Sequence, residues 1–274
     1  MGCRMKNHLL RRFSDALLNH QLGLKYQPVF CTTTGQIVIL EALLDWPELI
    51  NFEVTAEELF EELEKNKVLS KLYDRYAFEI ALRDFTLLIA YSHYSGMMSV
   101  NLCAATLEGH DIEPFVTQIL DTYPDVSSRR VIIEITERGK WQDCEKALCN
   151  LRGLQKLEFN IALDDFMTGF ANFNSLLSSE VNYLKIGQPF AQQEKSVEHQ
   201  AVTKGVLDLC TKVSKQVIVE GIETQAELDY FKGYGYNFFQ GYFFSEPVSL
   251  GEVARYLRNA QSLRLQGNRP SAEI

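Results

Sequence analysis

The sequence predicts an α/β fold, a (β/α)8 TIM-like barrel whose first strand is antiparallel. The first observation is length, because the chain has 274 residues and α/β barrels of roughly 200 to 250 residues commonly form one domain. The second is that short β-rich runs alternate with helix-length segments, which is typical of parallel βα units. The third is that only turn residues, 32–35, separate the first two runs, which favours a hairpin.

The predicted strands are short runs rich in β-branched and aromatic residues, bounded by polar or turn residues. A barrel of this class requires eight strands, and the chain supplies that many runs. In chain order they are residues 24–30, 37–43, 97–102, 131–135, 161–165, 183–186, 217–220 and 238–241.

The predicted helices show apolar residues at the spacing that one buried helix face requires. Leu10, Phe13 and Leu17 have this spacing, so residues 1–20 are expected to pack on the body of the protein or on a protein partner. Thr55 and Glu58 form a capping box that starts the next helix. Further helices are predicted at residues 73–90, 112–120, 144–155, 202–213, 226–232 and 250–263.

No Pro/Gly/Ser-rich linker divides the chain. We therefore expect one barrel domain over residues 21–266. An N-terminal helical extension, residues 1–20, precedes it, and a flexible tail, residues 267–274, follows it.

Composition narrows the function classes. The chain carries 27 basic and 36 acidic side chains and a net charge of −9, which disfavours binding to long nucleic acids and to anionic membrane surfaces. No apolar stretch suggests a membrane span, and no signal-peptide core follows the first residues. The six cysteines form no C-x-x-C pair, so we expect reduced thiols in a cytoplasmic protein.

Polar side chains occupy the carboxyl ends of most predicted strands, which is where barrels place their chemistry. Any one of them, taken alone, is usually a turn cap. Together they would bring several carboxylates to one face, where they repel each other unless cations lie between them. Hard divalent ions with oxygen ligands suit such a cluster, and adjacent aspartates can bridge two ions. These residues are Glu41, Asn101, Glu134, Asp164, Asp165, Lys185, Glu220 and Gln240.

Sequence motifs surround these residues. Glu41-Ala42-Leu43 lies in the run LEALLDW, and Asp164-Asp165 lies in ALDDFMTGF. Further segments are YQPVF, VNLCAATL, IIEITER, YLKIG, VIVEGIET and FFQGYFFSEPV. Over residues 22–262 the chain resembles the EAL-domain cyclic di-GMP phosphodiesterases. The resemblance implies a barrel that opens c-di-GMP to linear pGpG, with two Mg²⁺ or Mn²⁺ ions per active site.

The resemblance also implies roles for individual residues. Glu41, Asn101, Glu134 and Asp164 would hold one ion, and Asp164, Asp165 and Glu220 the other. Lys185, Glu220, Asp165 and Gln240 would act in catalysis, with Glu220 as a candidate base. Substrate contacts fall to Gln27, Pro28, Leu43, Asp45 and Pro247, while Glu137 and Glu223 would brace the loop after Asp165. A homodimer is expected.

Three positions depart from the family pattern. Asp45 stands where the family usually has a phosphate-gripping arginine, Met167 replaces a loop glycine, and Gly187 replaces an aspartate. These departures motivate an alternative, a catalytically weak or inactive EAL-like module that binds c-di-GMP or a protein partner as a regulator. For Lys185 two roles stay open, one beside the hydrolytic water and one in a structural salt bridge to Glu223.

Overall fold

The structure is a computed structural model that describes residues 3–109, 111–136, 144–166, 180–192 and 195–265. Glu137, Met167 and the predicted tail at 267–274 lie outside these described residues.

Eight strands close into a barrel in sequence order. β1 is antiparallel to both of its neighbours, β2 and β8, and the remaining neighbours are parallel. The predicted fold class, including the antiparallel first strand, is therefore confirmed. The strands are β1 (Gly23–Cys31), β2 (Gln36–Asp45), β3 (Met97–Leu102), β4 (Val131–Thr136), β5 (Asn160–Phe166), β6 (Tyr183–Ile186), β7 (Gln216–Val219) and β8 (Phe238–Phe239).

Helices surround the barrel, and short 3-10 turns lie at Pro47–Phe52 and Ser128–Arg130. The described α-helices are α1 (Cys3–Leu18), α2 (Ala56–Leu63), α3 (Lys67–Ser92), α4 (Ala104–Gly109), α5 (Glu113–Thr122), α6 (Cys144–Lys156), α7 (Gln188–Ala191), α8 (Val197–Lys212), α9 (Gln225–Gly233) and α10 (Leu250–Leu265). None of the helices in the described part of the chain combines the length and the hydropathy that crossing a bilayer requires.

Helix starts follow side-chain caps. The predicted capping box of Thr55 and Glu58 is present at the start of α2. α3 begins six residues before its predicted start at residue 73, because the Asn66 side chain accepts a hydrogen bond from the Leu69 N–H. α8 likewise begins at Val197 rather than at residue 202, because Ser196 caps it.

Helix α1 packs on the body of its own chain. Leu9, Phe13 and Leu17 are buried against α2 and α3, and the Phe13 ring lies 5.4 Å from Trp46 and 5.5 Å from Tyr73 between centroids. Of the two expectations for this helix, packing on the body is confirmed. The prediction that Phe13 and Leu17 contact a protein partner is wrong, because the core of the chain itself covers both side chains.

The inside of the barrel is layered along its axis. The lower layer is apolar and contains Val29, Ile39, Ile132, Ala162 and Ile218. Successive side chains of a strand point to opposite faces. In the parallel strands the residue two positions toward the carboxyl end therefore points inward again, one layer higher, and in antiparallel β1 the same step runs toward the amino end. The upper layer holds the polar side chains described below.

Removal of the Phe13 ring tests the packing of α1. Phe13 has no exposed surface, so Phe13→Ala should lower the free energy of unfolding by about 3 to 5 kcal/mol. Leu18→Ala, in the same helix at a side chain that is 68% exposed, should change it by less than about 0.5 kcal/mol. Chemical denaturation measures both variants, and equal losses would contradict this packing.

Candidate active site

The period-two geometry of the strands assembles the polar layer. Glu41, Glu134 and Lys185 each lie two residues beyond an inward-facing residue of the layer below, namely Ile39, Ile132 and Tyr183. Strand pairing then fixes their height, because Glu134 is in register with Asn101 on β3. The predicted convergence of strand-end side chains therefore occurs in the structure.

Lys185 lies at the centre of this layer and is 1% exposed. Burial by itself would lower the pKa of Lys185, but the surrounding carboxylates hold it well above its usual value. The ammonium therefore stays charged at neutral pH. Its Nζ atom lies 2.5 Å from Glu134, 2.7 Å from Glu220, 3.1 Å from Glu41 and 3.7 Å from Asp164.

A chain of amide hydrogen bonds orients Glu41. Asn101 Nδ2 donates to Glu41 Oε1 over 3.0 Å, and Gln240 Nε2 donates to Glu41 Oε2 over 2.6 Å. Gln240 Nε2 also donates to Gln27 Oε1, and Gln27 Nε2 donates to the Ser245 carbonyl. The buried Oε1 atom of Gln240 has no hydrogen-bond partner among the described residues.

One ammonium does not balance the charge of four carboxylates that are buried or partly buried. Burial, followed by the charge of Glu41, raises the pKa of Glu134 to about 8. Burial also raises the pKa of Asp164 and, strongly, that of Glu220. Burial alone would raise the pKa of Glu41 too, but Lys185 and the two amide donors lower it overall. The layer thus retains protons near neutral pH that added positive charge would displace.

The backbone at Asp164 and Asp165 departs from regular strand geometry. The β5–β6 register shifts between Leu163 and Phe166, and Asp165 adopts a left-handed φ of 55°. Bulges of this kind re-aim side chains beside functional sites. Asp164, Asp165 and Glu220 each place one carboxylate oxygen within 4.8 Å of the others, an all-oxygen donor set that fits a hard divalent cation.

Glycines permit close backbone packing directly after two of these residues. Gly221 follows Glu220 at φ +66°, where a Cβ would lie 2.3 Å from Gln188 Cγ. Gly241 follows Gln240 at φ +153°, where a Cβ would lie 2.1 Å from the Ile222 carbonyl oxygen. Any larger residue would displace the backbone that carries the site.

Strand alternation also places the expected substrate residues. Gln27, Leu43 and Asp45 share the inner face near the mouth, with Glu41 and Gln27 in register. Pro28 is buried on the opposite face of β1, and Pro247 is half-buried next to Val248, which bridges to Tyr26.

Two expectations about charged residues change. Glu223 accepts a hydrogen bond from Gln188 Nε2 over 3.0 Å, whereas Lys185 pairs with the four carboxylates of the polar layer. The alternative role of Lys185 in a salt bridge to Glu223 is therefore wrong, because the two side chains belong to different clusters. The Asp45 carboxylate lies 3.3 Å from Lys25 Nζ, so a cation offsets the charge that replaces the family's arginine.

The sequence did not single out Lys25, which pairs with Asp45 in the structure. Lys25 lies two residues before Gln27, and the period of a strand places such residues on one face. The strand period is therefore the signal that could have found Lys25.

Comparison with known proteins agrees with this geometry. The EAL domain family model matches residues 10–247. The biofilm architecture maintenance protein MbaA of Vibrio cholerae serotype O1 is 27% identical over 92% of this chain. The cyclic di-GMP phosphodiesterase NbdA of Pseudomonas aeruginosa is 25% identical over 89% of this chain. The chain spans 31% of the length of each of these relatives.

A solved structure has the same architecture. The EAL enzyme Bd1971, in its cAMP- and cyclic-di-GMP-bound form, superposes with a TM-score of 0.84 at 25% identity. The match covers 92% of this chain and 69% of Bd1971. Given the barrel with its antiparallel first strand, the acidic cluster around Lys185 and the family match over most of its length, this chain belongs to the EAL domain family.

Proposed function

We propose that this chain is a metal-dependent phosphodiesterase that hydrolyses cyclic di-GMP to linear pGpG. The observation that carries the proposal is the convergence of Glu41, Glu134, Asp164 and Glu220 on one point at the mouth of an EAL barrel. The naming of the similar protein NbdA as a cyclic di-GMP phosphodiesterase supports the choice of substrate.

The carboxylates would hold two divalent ions, Mg²⁺ or Mn²⁺. One set of oxygen donors would consist of Glu41, Asn101, Glu134 and Asp164. The second would consist of Asp164, Asp165 and Glu220, so Asp164 would belong to both sets. When bound, divalent ions in such a pair supply a lowered water pKa and positive charge opposite the phosphate.

The chain's own groups then act on the substrate and on the proton. Water attacks phosphorus, a new P–O bond forms and the bond from phosphorus to one ribose 3′ oxygen breaks. That oxygen takes up a proton and leaves as the 3′ hydroxyl of pGpG. Glu220 would accept the proton of the attacking water. Burial raises the pKa of Glu220, and bound cations would first displace the carboxyl proton that this shift retains. Lys185, 2.7 Å from Glu220, keeps its protons and offsets negative charge on the phosphate.

The mouth of the barrel would hold the nucleotide. Gln27 is fixed by Gln240 and by the Ser245 carbonyl, so its amide is oriented before a guanine arrives, which lowers the entropic cost of binding. Lys25 and Asp45 lie on the same inner face, closer to solvent. The expected homodimer and cytoplasmic location stay predictions.

Removal of either of two carboxylates tests the proposed function. Glu41→Ala and Asp164→Ala should abolish release of pGpG from c-di-GMP with Mg²⁺ or Mn²⁺, because each deletes a donor of the first ion. Asp208→Ala, which removes an exposed carboxylate paired with Lys204, is the matched control and should keep full activity. Substrate turnover is followed by chromatography.

Retained turnover in either carboxylate variant would show that the metal assignment is wrong. Binding of c-di-GMP by the wild-type protein without turnover in either metal would favour the regulatory module instead.

Metal affinity should depend on pH. Because the pKa of Glu134 is raised to about 8, this carboxyl is mostly protonated below that pH, and a cation must displace the proton. The Mn²⁺ dissociation constant should therefore rise as pH falls from 8.5 to 6.5, by up to about tenfold per pH unit for each proton displaced.

Calorimetric titration in buffers of different ionisation enthalpy measures both the affinity and the protons released. Glu134→Gln, which has no proton to lose, should show a weaker pH dependence. A dissociation constant that stays flat across this range would refute the proton displacement.

The role of Asp45 can be tested by charge reversal. Asp45→Arg should lower KM for c-di-GMP about fivefold, equivalent to ~1 kcal/mol, because an arginine contacts phosphate with charge-assisted hydrogen bonds. kcat should change little. Asp45→Ala serves as the control that removes the carboxylate only, and an unchanged KM in the arginine variant would show that residue 45 does not face the phosphate.

A further inference from the structure

Three consecutive backbone N–H groups follow β3, and two carboxylates from other elements hold all of them. Cys103 N donates to Asp74 Oδ2 over 3.1 Å. Ala104 N donates to Glu64 Oε1 over 2.7 Å, and Ala105 N donates to Glu64 Oε2 over 2.6 Å. We call this arrangement, Glu64 and Asp74 with the N–H groups of residues 103–105, the β3 clamp.

The β3 clamp lies directly after the last residue pair that joins β3 to a neighbouring strand. The last pair between β3 and β4 joins Leu102 to Ile135, and Asn101 lies one residue earlier. Beyond Leu102, no strand neighbour in the described chain fixes the backbone by ladder hydrogen bonds. The position of the β3 terminus therefore depends on the carboxylates of Glu64 and Asp74.

Burial of the carboxyl groups of Glu64 and Asp74 costs free energy. Asp74 is 1% exposed on α3, and burial is the main reason that its pKa rises to about 7. Burial also raises the pKa of Glu64, while the N–H groups of Ala105 and Ala104 act in the opposite direction. A buried carboxyl group is costly unless hydrogen bonds compensate it, and here the compensating donors are those of the β3 terminus.

We propose that Glu64 and Asp74 are positioning residues that act through Asn101 on the affinity of the site for a divalent cation. Asn101 Nδ2 donates to Glu41 Oε1, so the Asn101 side-chain amide, whose oxygen would be the ligand atom, lies beside the cluster. A shift of the β3 terminus would move this amide relative to the carboxylates. Partners that orient metal ligands from outside commonly change metal affinity 10- to 100-fold when they are mutated. This inference rests on the proposed role of Asn101 as a ligand.

The test uses Mn²⁺ and direct calorimetric titration of the full chain. Glu64→Gln replaces one acceptor oxygen by a donor that faces an N–H group, and it should weaken Mn²⁺ binding about tenfold. Asp74→Ala removes the acceptor of the Cys103 N–H and should also weaken Mn²⁺ binding. Glu61→Gln, at an exposed carboxylate of α2, is the matched control and should stay within about twofold of the wild type. Ala104→Pro removes one donated N–H with Glu64 intact, and proline is tolerated at the first helical position; it should also weaken Mn²⁺ binding.

Thermal melting of the metal-free variants separates positioning from general stability. A purely structural role would lower the melting temperature of Glu64→Gln and leave its Mn²⁺ dissociation constant unchanged, which would overturn the inference.

A double variant completes the design. Asn101→Ala should itself weaken Mn²⁺ binding, and Glu64→Gln should add no further loss in that background. If Glu64→Gln weakens Mn²⁺ binding equally in the wild-type and the Asn101→Ala background, Glu64 does not act through Asn101. Unchanged binding in Asn101→Ala would instead remove the proposed ligand role, and this inference with it.

Discussion

The structure depends on one electrostatic constraint: a buried lysine among four carboxylates, of which Glu41 and Glu134 are buried and Asp164 and Glu220 are partly exposed. Lys185 Nζ lies within 3.7 Å of Glu41, Glu134, Asp164 and Glu220. Removal of these charges from water costs several kcal/mol per ion unless close partners compensate it. One positive charge compensates only part of the negative charge, so the fold maintains a site whose ordinary state favours additional cations. Stability and function are therefore opposed at this point, as is common where a site is organised for catalysis.

The barrel makes that constraint tolerable. Below the charges lies a closed apolar layer that contains Ile39, Ile132 and Ile218, and around the strands lies a continuous shell of buried apolar side chains. The charged layer is thus confined to the mouth. The EAL signature follows from the same geometry, since its glutamate and its leucine, Glu41 and Leu43, are two residues apart and share the inner face while Ala42 faces the helices.

Much of the fold could be predicted from local signals. Apolar runs with turn residues between them placed all eight strands, two of them with their observed ends, Met97–Leu102 and Tyr183–Ile186. Helices α3 and α8 begin several residues before their predicted starts. Single side chains, Asn66 and Ser196, cap first turns whose apolar pattern is weak. β8 proved shorter than its run because Gly241, at φ +153°, departs from strand geometry.

The sequence by itself determined which strand-end side chains converge, because strand ends in a barrel meet at one face whatever the loops between them contain. It did not determine the pairings within the site. Gln240 donates to Glu41 across 199 residues of chain, and Lys25 lies beside Asp45. The carboxylates that hold the β3 terminus come from α3 and from the end of α2. Such contacts arise from three-dimensional proximity between distant segments, and hydrophobic periodicity carries no record of which charged group a folded chain brings beside which other.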